Sequence, residues 1–305
     1  ELTSLLVKLG YNNNKEYYFH PEGRKVVFVG DFIDRGPQIR ATLEIVKSMC
    51  DNGTATAVMG NHEYNAILFH TQKKGGGFYR EHGFKEINSH FETLKQFKDD
   101  PQEWYEYIEW FKTLPLFIET ENYRVVHAFW SQSHVDFLKS NPIQWNESWF
   151  EKVTDDSNYE YQLVEELLKG KEHKLPNGYS FLDKDCTTRT ESRVKWWHQI
   201  EGQILYGDYL INCPENLKHK TLEYTPDKIP LDKPIFFGHY WLKVDSPTVM
   251  NSNAICLDYS VAKNGHLVAY SLDTENLTIQ NNLMMAAHQV DCTKFIFLSS
   301  SCVYP

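Results

Sequence analysis

The chain has 305 residues, of which 41% are hydrophobic and 24% are charged, a composition typical of a soluble globular protein. Its formal net charge of −10 argues against long duplex nucleic acid as a partner, because binding to that partner depends on basic patches. No apolar run reaches the roughly 18 residues that a transmembrane helix needs, so we expect no membrane partner. The length provides for one large domain or two ordinary ones.

The spacing of the cysteines indicates the redox state of the cellular compartment. The six cysteines include no Cys-x-x-Cys pair, and their spacing suggests no disulfide framework. We therefore expect reduced thiols in a cytoplasmic protein.

The first third of the chain alternates between strand and helix patterns. Residues 1–11 predict an amphipathic helix, and 25–29 predict a buried strand followed by a helix. Residues 54–59 predict a second strand, and a second helix is expected to begin at Tyr64. This order favours an α/β fold with a parallel, layered sheet.

A polar segment follows the first of these strands, at the edge where open α/β sheets bind their ligands. It contains two carboxylates, an arginine and two glycines, in the sequence Gly30-Asp31-Phe32-Ile33-Asp34-Arg35-Gly36-Pro37. The functional interpretation is a metal and phosphate site. The alternative is an ordinary polar turn between a strand and a helix.

Aromatic residues at helical spacing predict a packed helical segment at 84–114, and residues 116–119 and 123–127 predict a hairpin that ends at His127. Residues 131–233 lack the repeated strand pattern, so we interpret them as an inserted cap with a helix at 159–169.

Two arginines of this cap, Arg189 and Arg193, would lie on one helix face if that stretch is helical, and they could then hold a substrate anion. A surface pairing with acidic neighbours explains them equally well. Those neighbours are Asp183, Asp185 and Glu191.

The strand pattern returns at the end of the domain. Residues 234–238 predict a buried strand that ends at His239, and 254–258 and 266–272 predict a hairpin through an Asn264-Gly265 turn.

Four predicted strands thus end in a potential metal ligand. The ligands are Asp31, Asn61, His127 and His239. A single histidine at a strand end is more often structural, but four such endings with small neighbours favour a metal site. Oxygen and imidazole ligands without thiolate suit manganese, iron or zinc.

Four ordered blocks resemble those of the calcineurin-like metallophosphoesterases. They are Gly30-to-Gly36, Gly60-Asn61-His62-Glu63, Val126-His127-Ala128 and Gly238-His239. The chain is most similar to the branch with phosphoprotein phosphatases, diadenosine tetraphosphatases and the phosphatase domain of polynucleotide kinase-phosphatases. The resemblance covers about residues 1–273. It implies a four-layer α/β/β/α sandwich with a helical insertion.

The resemblance also implies roles for these residues. Asp31 would bridge two divalent ions, manganese most of all, with iron, nickel or zinc as alternatives. Asn61, His127 and His239 would complete the shell of the second ion. His62 would be the general acid, oriented by Asp34, and Arg35 would bind the phosphoryl oxygens. The implied activity is hydrolysis of a phosphomonoester or a dinucleoside polyphosphate by a metal-activated water, and a phosphoprotein substrate is also consistent with this family.

An Asp-x-His-Gly block, which supplies two ligands of the first metal in this family, does not occur in the sequence. We expect Glu1 to be a truncation point and this chain to hold its first metal poorly. The alternative function is a non-catalytic phosphate-binding protein with a degenerate phosphatase fold and no first metal site.

Residues 274–305 form a tail, part of which is similar to an internal piece of GDP-L-fucose synthase. The resemblance would place a catalytic serine at Ser300, although the other motifs of that family are missing. An ordinary tail of helix and strand is the alternative. We expect no activity from this tail in either case.

Overall fold

A computed structural model describes residues 1–183, 186–198, 202–226, 228–249, 251, 253–263, 265–280 and 296–298. In these ranges the helices, in chain order, are α1 (Leu2–Lys8), α2 (Ile39–Asp51), α3 (Asn61–His70), α4 (Phe84–Phe97), α5 (Pro101–Phe111), α6 (Gln132–Ser140), α7 (Glu147–Val153), α8 (Tyr159–Lys169) and α9 (Tyr206–Tyr209). A 3₁₀ turn spans Val261–Lys263.

The strands in these ranges are mostly short. In chain order they are β1 (Asn12–Asn13), β2 (Tyr18–Phe19), β3 (Val26–Phe28), β4 (Ala55–Ala57), β5 (Phe117–Glu119), β6 (Arg124–Val126), β7 (Glu172–Lys174), β8 (Phe181–Leu182), β9 (Thr188–Arg189), β10 (Glu191–Arg193), β11 (Ile235–Phe237), β12 (Ala254–Cys256), β13 (Asp258–Tyr259), β14 (His266–Ser271), β15 (Asn276–Gln280) and β16 (Ile296–Leu298).

Two larger sheets organise these strands. One has the order β12-β11-β6-β5, and the other has the order β13-β14-β16-β3-β4, with β15 also paired to β14. Strands β3 and β4 are parallel, as are β6 and β11, whereas β5 and β6 form the antiparallel hairpin that the sequence predicts. The predicted α/β fold is therefore confirmed, and its sheets contain antiparallel as well as parallel pairs.

A layer of apolar side chains lies between the two sheets. Its residues come from strands of both sheets or directly follow them and are almost completely buried, namely Val27, Val29, Val58, Val125, Phe236, Ile255, Leu257 and Val268. Burial of such side chains stabilises a fold by roughly 1.5–3 kcal/mol each. A second apolar cluster packs the helices on the outer faces. Strand ends of both sheets are thereby fixed relative to each other.

The segment expected to form one hairpin at 254–272 is divided between the sheets. Ala254–Cys256 pairs in parallel with β11, and Asp258–Tyr259 pairs antiparallel with β14. The hairpin is thus present, but its first strand is shorter than expected, because the chain crosses from one sheet to the other at Leu257. Asn264, half of the expected turn, lies outside the described residues.

Residues 131–233 lie between the neighbouring strands β6 and β11. The expected helix at 159–169 is present with those bounds, and α6 and α7 precede it. The stretch that carries Arg189 and Arg193 is not helical, so the two arginines do not share a helix face; they lie in β9 and β10. β-branched and polar residues around them favour paired strands over a helix.

Parts of the tail belong to the larger sheet. Asn276–Gln280 pairs with β14, and Ile296–Leu298 lies between β14 and β3. Ser300 and most of the segment that resembles GDP-L-fucose synthase lie outside the described residues. Within the described part of the chain, no helix has the length and apolar character required to cross a membrane.

Candidate metal and phosphate site

The sheet topology brings the four candidate ligands together. Asp31 follows β3 and Asn61 begins α3 after β4, while His127 and His239 follow β6 and β11. Strands β3 and β4 are parallel neighbours in one sheet, and β6 and β11 are parallel neighbours in the other. Their carboxyl ends therefore meet at one edge of the sandwich, where ligand sites of α/β sheets lie.

The ligand atoms at this edge have the spacing of a coordination shell. His127 Nε2 lies 3.1 Å from Asn61 Oδ1 and 3.3 Å from Asp31 Oδ1, and His239 Nδ1 lies 2.8 Å from Asn61 Oδ1. Ligands bound at about 2.0–2.2 Å to one ion are separated by about 3.0–3.5 Å. Asp31, His127 and His239 are all buried. The donor set and its spacing thus fit one divalent ion.

The two histidines differ in protonation. His127 Nδ1 donates to the Val29 carbonyl oxygen at 2.6 Å, so Nε2 is the nitrogen that faces the other ligands. Burial opposes protonation of His127, but the charge and hydrogen bond of Asp31 outweigh burial and raise the pKa of this imidazole, so a metal ion would displace the proton from Nε2. Burial, followed by the positive charge of Arg193, holds the pKa of His239 well below its usual value. The buried Nε2 atom of His239 has no hydrogen-bond partner among the described residues. His239 is therefore neutral, and its Nδ1, the nitrogen that lies beside Asn61, is the atom that would bind the metal.

Next to these ligands lies a hydrogen-bonded pair, His62 and Asp34. His62 Nδ1 is 2.5 Å from Asp34 Oδ2, and the other carboxylate oxygen of Asp34 accepts hydrogen bonds from His90 Nδ1 and Thr93 Oγ1, both at 2.7 Å. Burial opposes ionisation of Asp34, but the hydrogen bonds and charges of His62 and His90 outweigh it and lower the pKa of this carboxyl. The carboxylate therefore fixes the orientation of the His62 ring.

The surroundings of His62 also favour its protonated form. Burial alone lowers the pKa of this imidazole, but the nearby Asp31 and the hydrogen-bonded Asp34 outweigh burial and raise it. Because Nδ1 is bound to Asp34, Nε2 is the nitrogen that can exchange a proton with a substrate. This arrangement is that of an oriented general acid.

Arg35 lies exposed at the mouth of the site. Its guanidinium stacks over the Trp241 ring at 4.2 Å from the ring centroid, a contact that holds a flexible side chain in one place. Several residues of the loops that follow β3 and β11 have positive φ angles, namely Asp31 (60°), Asp34 (69°), Arg35 (57°), His239 (70°) and Trp241 (52°). Such backbone strain accumulates where geometry serves a site.

Glu63 joins the two loops that carry Asp31 and Asn61. Its Oε2 accepts hydrogen bonds from the backbone N–H of Asp31 at 2.8 Å and of Gly60 at 2.9 Å, and its Oε1 accepts one from Phe32 at 2.6 Å. Complete burial, and then the charge of Asp31, raise the pKa of Glu63 to about 7. The hydrogen bonds of the Glu63 carboxylate therefore hold Asp31 next to the start of α3.

The backbones of the same two loops touch at a pair of glycines. A Cβ on Gly30 would fall well inside 3.0 Å of the Gly60 nitrogen, and a Cβ on Gly60 would fall equally close to Asp31. Gly30 also has a φ of +92°, which side chains other than glycine rarely adopt. Both positions therefore require glycine if Asp31 and Asn61 are to remain adjacent.

We expect Gly60→Ala to destabilise the fold by about 2–3 kcal/mol, because the added methyl group must push Asp31 away from α3. Since Gly60 has an ordinary φ of −94°, the effect isolates the close approach from backbone strain. Urea unfolding would measure it. Gly75→Ala is the matched control, since its surroundings are open within 4 Å. Equal midpoints for the two variants would contradict this account.

The two arginines proposed for substrate binding have different surroundings. Arg189 pairs with Asp183 at 2.7 Å and is half exposed, as in the alternative interpretation from sequence. Arg193 lies close enough to the ligand shell for its charge to lower the pKa of His239. Its Nε atom is also 3.9 Å from Glu172. Arg189 is thus held in a surface ion pair, and the link between Arg193 and the site is the effect of its charge on the pKa of His239.

Sequence reasoning gave no role to four residues that contact the site. Glu63 was part of a motif, but its hydrogen bonds to three amides were not predicted. His90 and Thr93 lie one turn apart on α4 as buried polar residues of an otherwise amphipathic helix, a pattern that could have marked them. Trp241 had no distinguishing pattern.

Comparison with known proteins agrees with this geometry. Residues 10–239 match the family model described as calcineurin-like phosphoesterase. The chain is 30% identical over 128 residues to bis(5'-nucleosyl)-tetraphosphatase PrpE [asymmetrical] from Oceanobacillus iheyensis, which covers 42% of this chain and 50% of that protein. It is 47% identical over 62 residues to the protein of the same name from Geobacillus thermodenitrificans, covering 20% of this chain and 25% of that protein.

A longer and weaker similarity extends over most of the chain. Bis(5'-nucleosyl)-tetraphosphatase, symmetrical, from Janthinobacterium sp. is 24% identical over 267 residues, which covers 84% of this chain and 85% of that protein. The match to the Oceanobacillus protein, in contrast, spans about half the length of that relative. The family match covers most of the chain and contains all four ligand positions, so the chain belongs to the calcineurin-like phosphoesterase family.

Proposed function

We propose that this protein hydrolyses phosphoester or phosphoanhydride bonds with the help of divalent metal. The observation that carries the proposal is the convergence of four ligand atoms at 2.8–3.3 Å beside an Asp-oriented imidazole. Family membership supports the same reaction class.

The residues that would hold the metal are Asp31, Asn61, His127 and His239. The family resemblance favours manganese, with iron, nickel and zinc as alternatives that also bind oxygen and imidazole ligands. When bound, such an ion lowers the pKa of water and polarises a phosphoryl oxygen. The family resemblance further implies a second ion, which Asp31 would also help to hold and whose other ligands would come from the Asp-x-His-Gly block that this sequence does not contain.

The remaining site residues would act directly on the substrate. Arg35, permanently cationic and planar, would bind the oxygens of the reacting phosphoryl group, and Arg193 would add positive charge beside it. His62 would donate the proton from Nε2 to the leaving oxygen, with Asp34 holding the ring and stabilising its charge. Arg189 would reach a substrate only if its ion pair with Asp183 opened.

For the substrate, we propose a small phosphorylated molecule such as a dinucleoside polyphosphate or a phosphomonoester, with a phosphoprotein as the less supported choice. The names of the similar proteins support the first of these. A net charge of −10 agrees with a small substrate rather than duplex nucleic acid. We also propose that the protein is cytoplasmic, and that residues 1–273 form the phosphoesterase domain, with 131–233 as its cap and 274–305 as a tail.

Turnover of a phosphoester panel in Mn²⁺, with and without a chelator, tests the proposal. We expect Asp31→Asn to lower the rate by about 100-fold or more, because the loss of a ligand charge removes several kcal/mol of metal-dependent stabilisation. Metal content by mass spectrometry would fall in parallel. Rates that are unchanged by chelation and by this substitution would refute the metal assignment.

The same measurements separate hydrolysis from the alternative, a non-catalytic phosphate-binding protein with a degenerate site. That alternative predicts phosphate binding with no turnover at any metal concentration. Metal-dependent turnover that depends on Asp31 excludes it.

A further inference from the structure

A cavity of about 150 Å³ lies on the side of His62 that faces α4. His62 and Asp34 form its inner wall, and Arg35, Arg80 and Lys85 contribute positive charge around it. Neither the metal ligation nor the proposed roles of Arg35 and His62 account for Arg80 and Lys85.

Within the described ranges, no carboxylate lies within 4.0 Å of the charged nitrogens of Arg35, Arg80 or Lys85, whereas Arg40 and Lys74 each form an ion pair. Arg80 is half buried, and its Nη1 donates to Asn65 Oδ1 at 3.1 Å, which fixes the guanidinium against α3. Lys85 is exposed in the first turn of α4, where the helix dipole adds positive potential.

Two carboxylates also line the cavity, those of Asp34 and Glu86. Asp34 accepts hydrogen bonds from His62, His90 and Thr93. Glu86 is the remaining acidic group of the lining, and the three cations outnumber it. The cavity therefore has an excess of positive charge, which suits a multiply charged anion.

The position of the cavity identifies which part of a substrate would enter it. In the proposed reaction His62 protonates the leaving oxygen, so the space beyond His62 is where the leaving group lies. We propose that this cavity, through Arg80 and Lys85, binds a phosphoryl group carried by the leaving group. The substrate class is then a polyphosphate chain with a P–O–P linkage rather than the phosphate ester of a neutral alcohol.

This inference rests on the proposed function, and the reaction is the hydrolysis of the P–O–P linkage. Water adds its oxygen to the reacting phosphorus, and the P–O bond of the linkage breaks. The leaving phosphate takes the electron pair and the proton from His62. The proton released by water reaches His62 through solvent and restores the imidazolium.

Binding of inorganic tripolyphosphate to the metal-free chain, measured by calorimetry, is the first test. We expect Arg80→Gln and Lys85→Gln each to weaken binding by about tenfold or more, because each removes a charge-assisted contact. Arg80→Lys should retain most of the affinity. Lys95→Gln is the matched control, since it removes the same charge from α4 about 15 Å farther along the helix. Unchanged affinity in Arg80→Gln would overturn the proposal.

Turnover in Mn²⁺ supplies a second test that separates the two proposals. Arg80→Gln should lower kcat/KM for tripolyphosphate by about tenfold and leave p-nitrophenyl phosphate, whose leaving group carries no phosphate, nearly unchanged. An equal loss for both substrates would overturn the assignment of the cavity. If the unaltered chain hydrolyses neither substrate but binds tripolyphosphate in an Arg80-dependent manner, the proposed function fails and the subsite stands.

Discussion

We expect His62→Ala to lower kcat by about 10²–10⁴-fold, the range that removal of a general acid produces. The ring is fixed by a 2.5 Å hydrogen bond to Asp34, and its raised pKa keeps a proton available. The loss should depend on the leaving group. It should be largest for alkyl phosphates, whose leaving oxygen needs a proton, and smallest for p-nitrophenyl phosphate, whose leaving oxygen is weakly basic.

Steady-state kinetics in saturating Mn²⁺ with both types of ester would measure this difference. His219→Ala is a suitable control, because that imidazole is exposed in the inserted segment. A loss of equal size for every leaving group would contradict a general-acid role and indicate that His62 serves the metal site instead. Metal content must remain the same in His62→Ala for the comparison to hold.

Asp34→Asn tests the hydrogen-bonded pair of His62 and Asp34 by changing the carboxylate. The amide cannot accept hydrogen bonds from His62, His90 and Thr93 as the carboxylate does, so the imidazole loses both its orientation and its counter-charge. We expect a reduction in kcat that approaches the reduction in His62→Ala. Combining the two substitutions should add little, because residues that act as a unit are not additive.

The strand ends were predictable from sequence because each is encoded locally. A short apolar run followed by Gly-Asp, Gly-Asn or Gly-His indicates both the strand and its polar ending, and parallel order then places such endings at one edge. Asn61 and His62, however, begin α3 and do not precede it. Gly60 has the N-cap conformation, and the carboxylate of Glu63 accepts a hydrogen bond from the Gly60 amide. Helix boundaries of this kind depend on contacts that the local pattern does not specify.

The inserted segment was less predictable, because its arginines have no strong local preference for helix or strand. Their spacing of four residues suggested a helix, but the pairing of β10 with β7, which comes from distant residues, decided the structure. The same limit applies to His90 and Trp241. Each reaches the site through tertiary contacts, with Asp34 and Arg35 respectively, that no spacing along the chain reveals.

Glu63→Gln should destabilise the fold by about 3 kcal/mol or more, because a buried carboxylate that accepts three backbone hydrogen bonds is replaced by an amide with one acceptor oxygen. The NH₂ group of the glutamine would face a backbone N–H, and two donors cannot form a hydrogen bond with each other. Since Glu63 is buried, solvent cannot replace the lost bond. Glu92→Gln on the exposed face of α4 removes the same charge without such contacts, so its unfolding midpoint in urea should match that of the unaltered chain.

The effect of Glu63→Gln should also extend to metal binding. Two of its three amide partners lie in the loop that carries Asp31, and the third precedes Asn61, so their loss lets the two ligands separate. We expect Mn²⁺ affinity to fall by about 10–100-fold, the cost of losing an outer-shell partner. Titration with Mn²⁺ under conditions in which the variant remains folded would measure this affinity. Reduced stability with unchanged Mn²⁺ affinity would show that Glu63 supports the fold but not the spacing of the ligands.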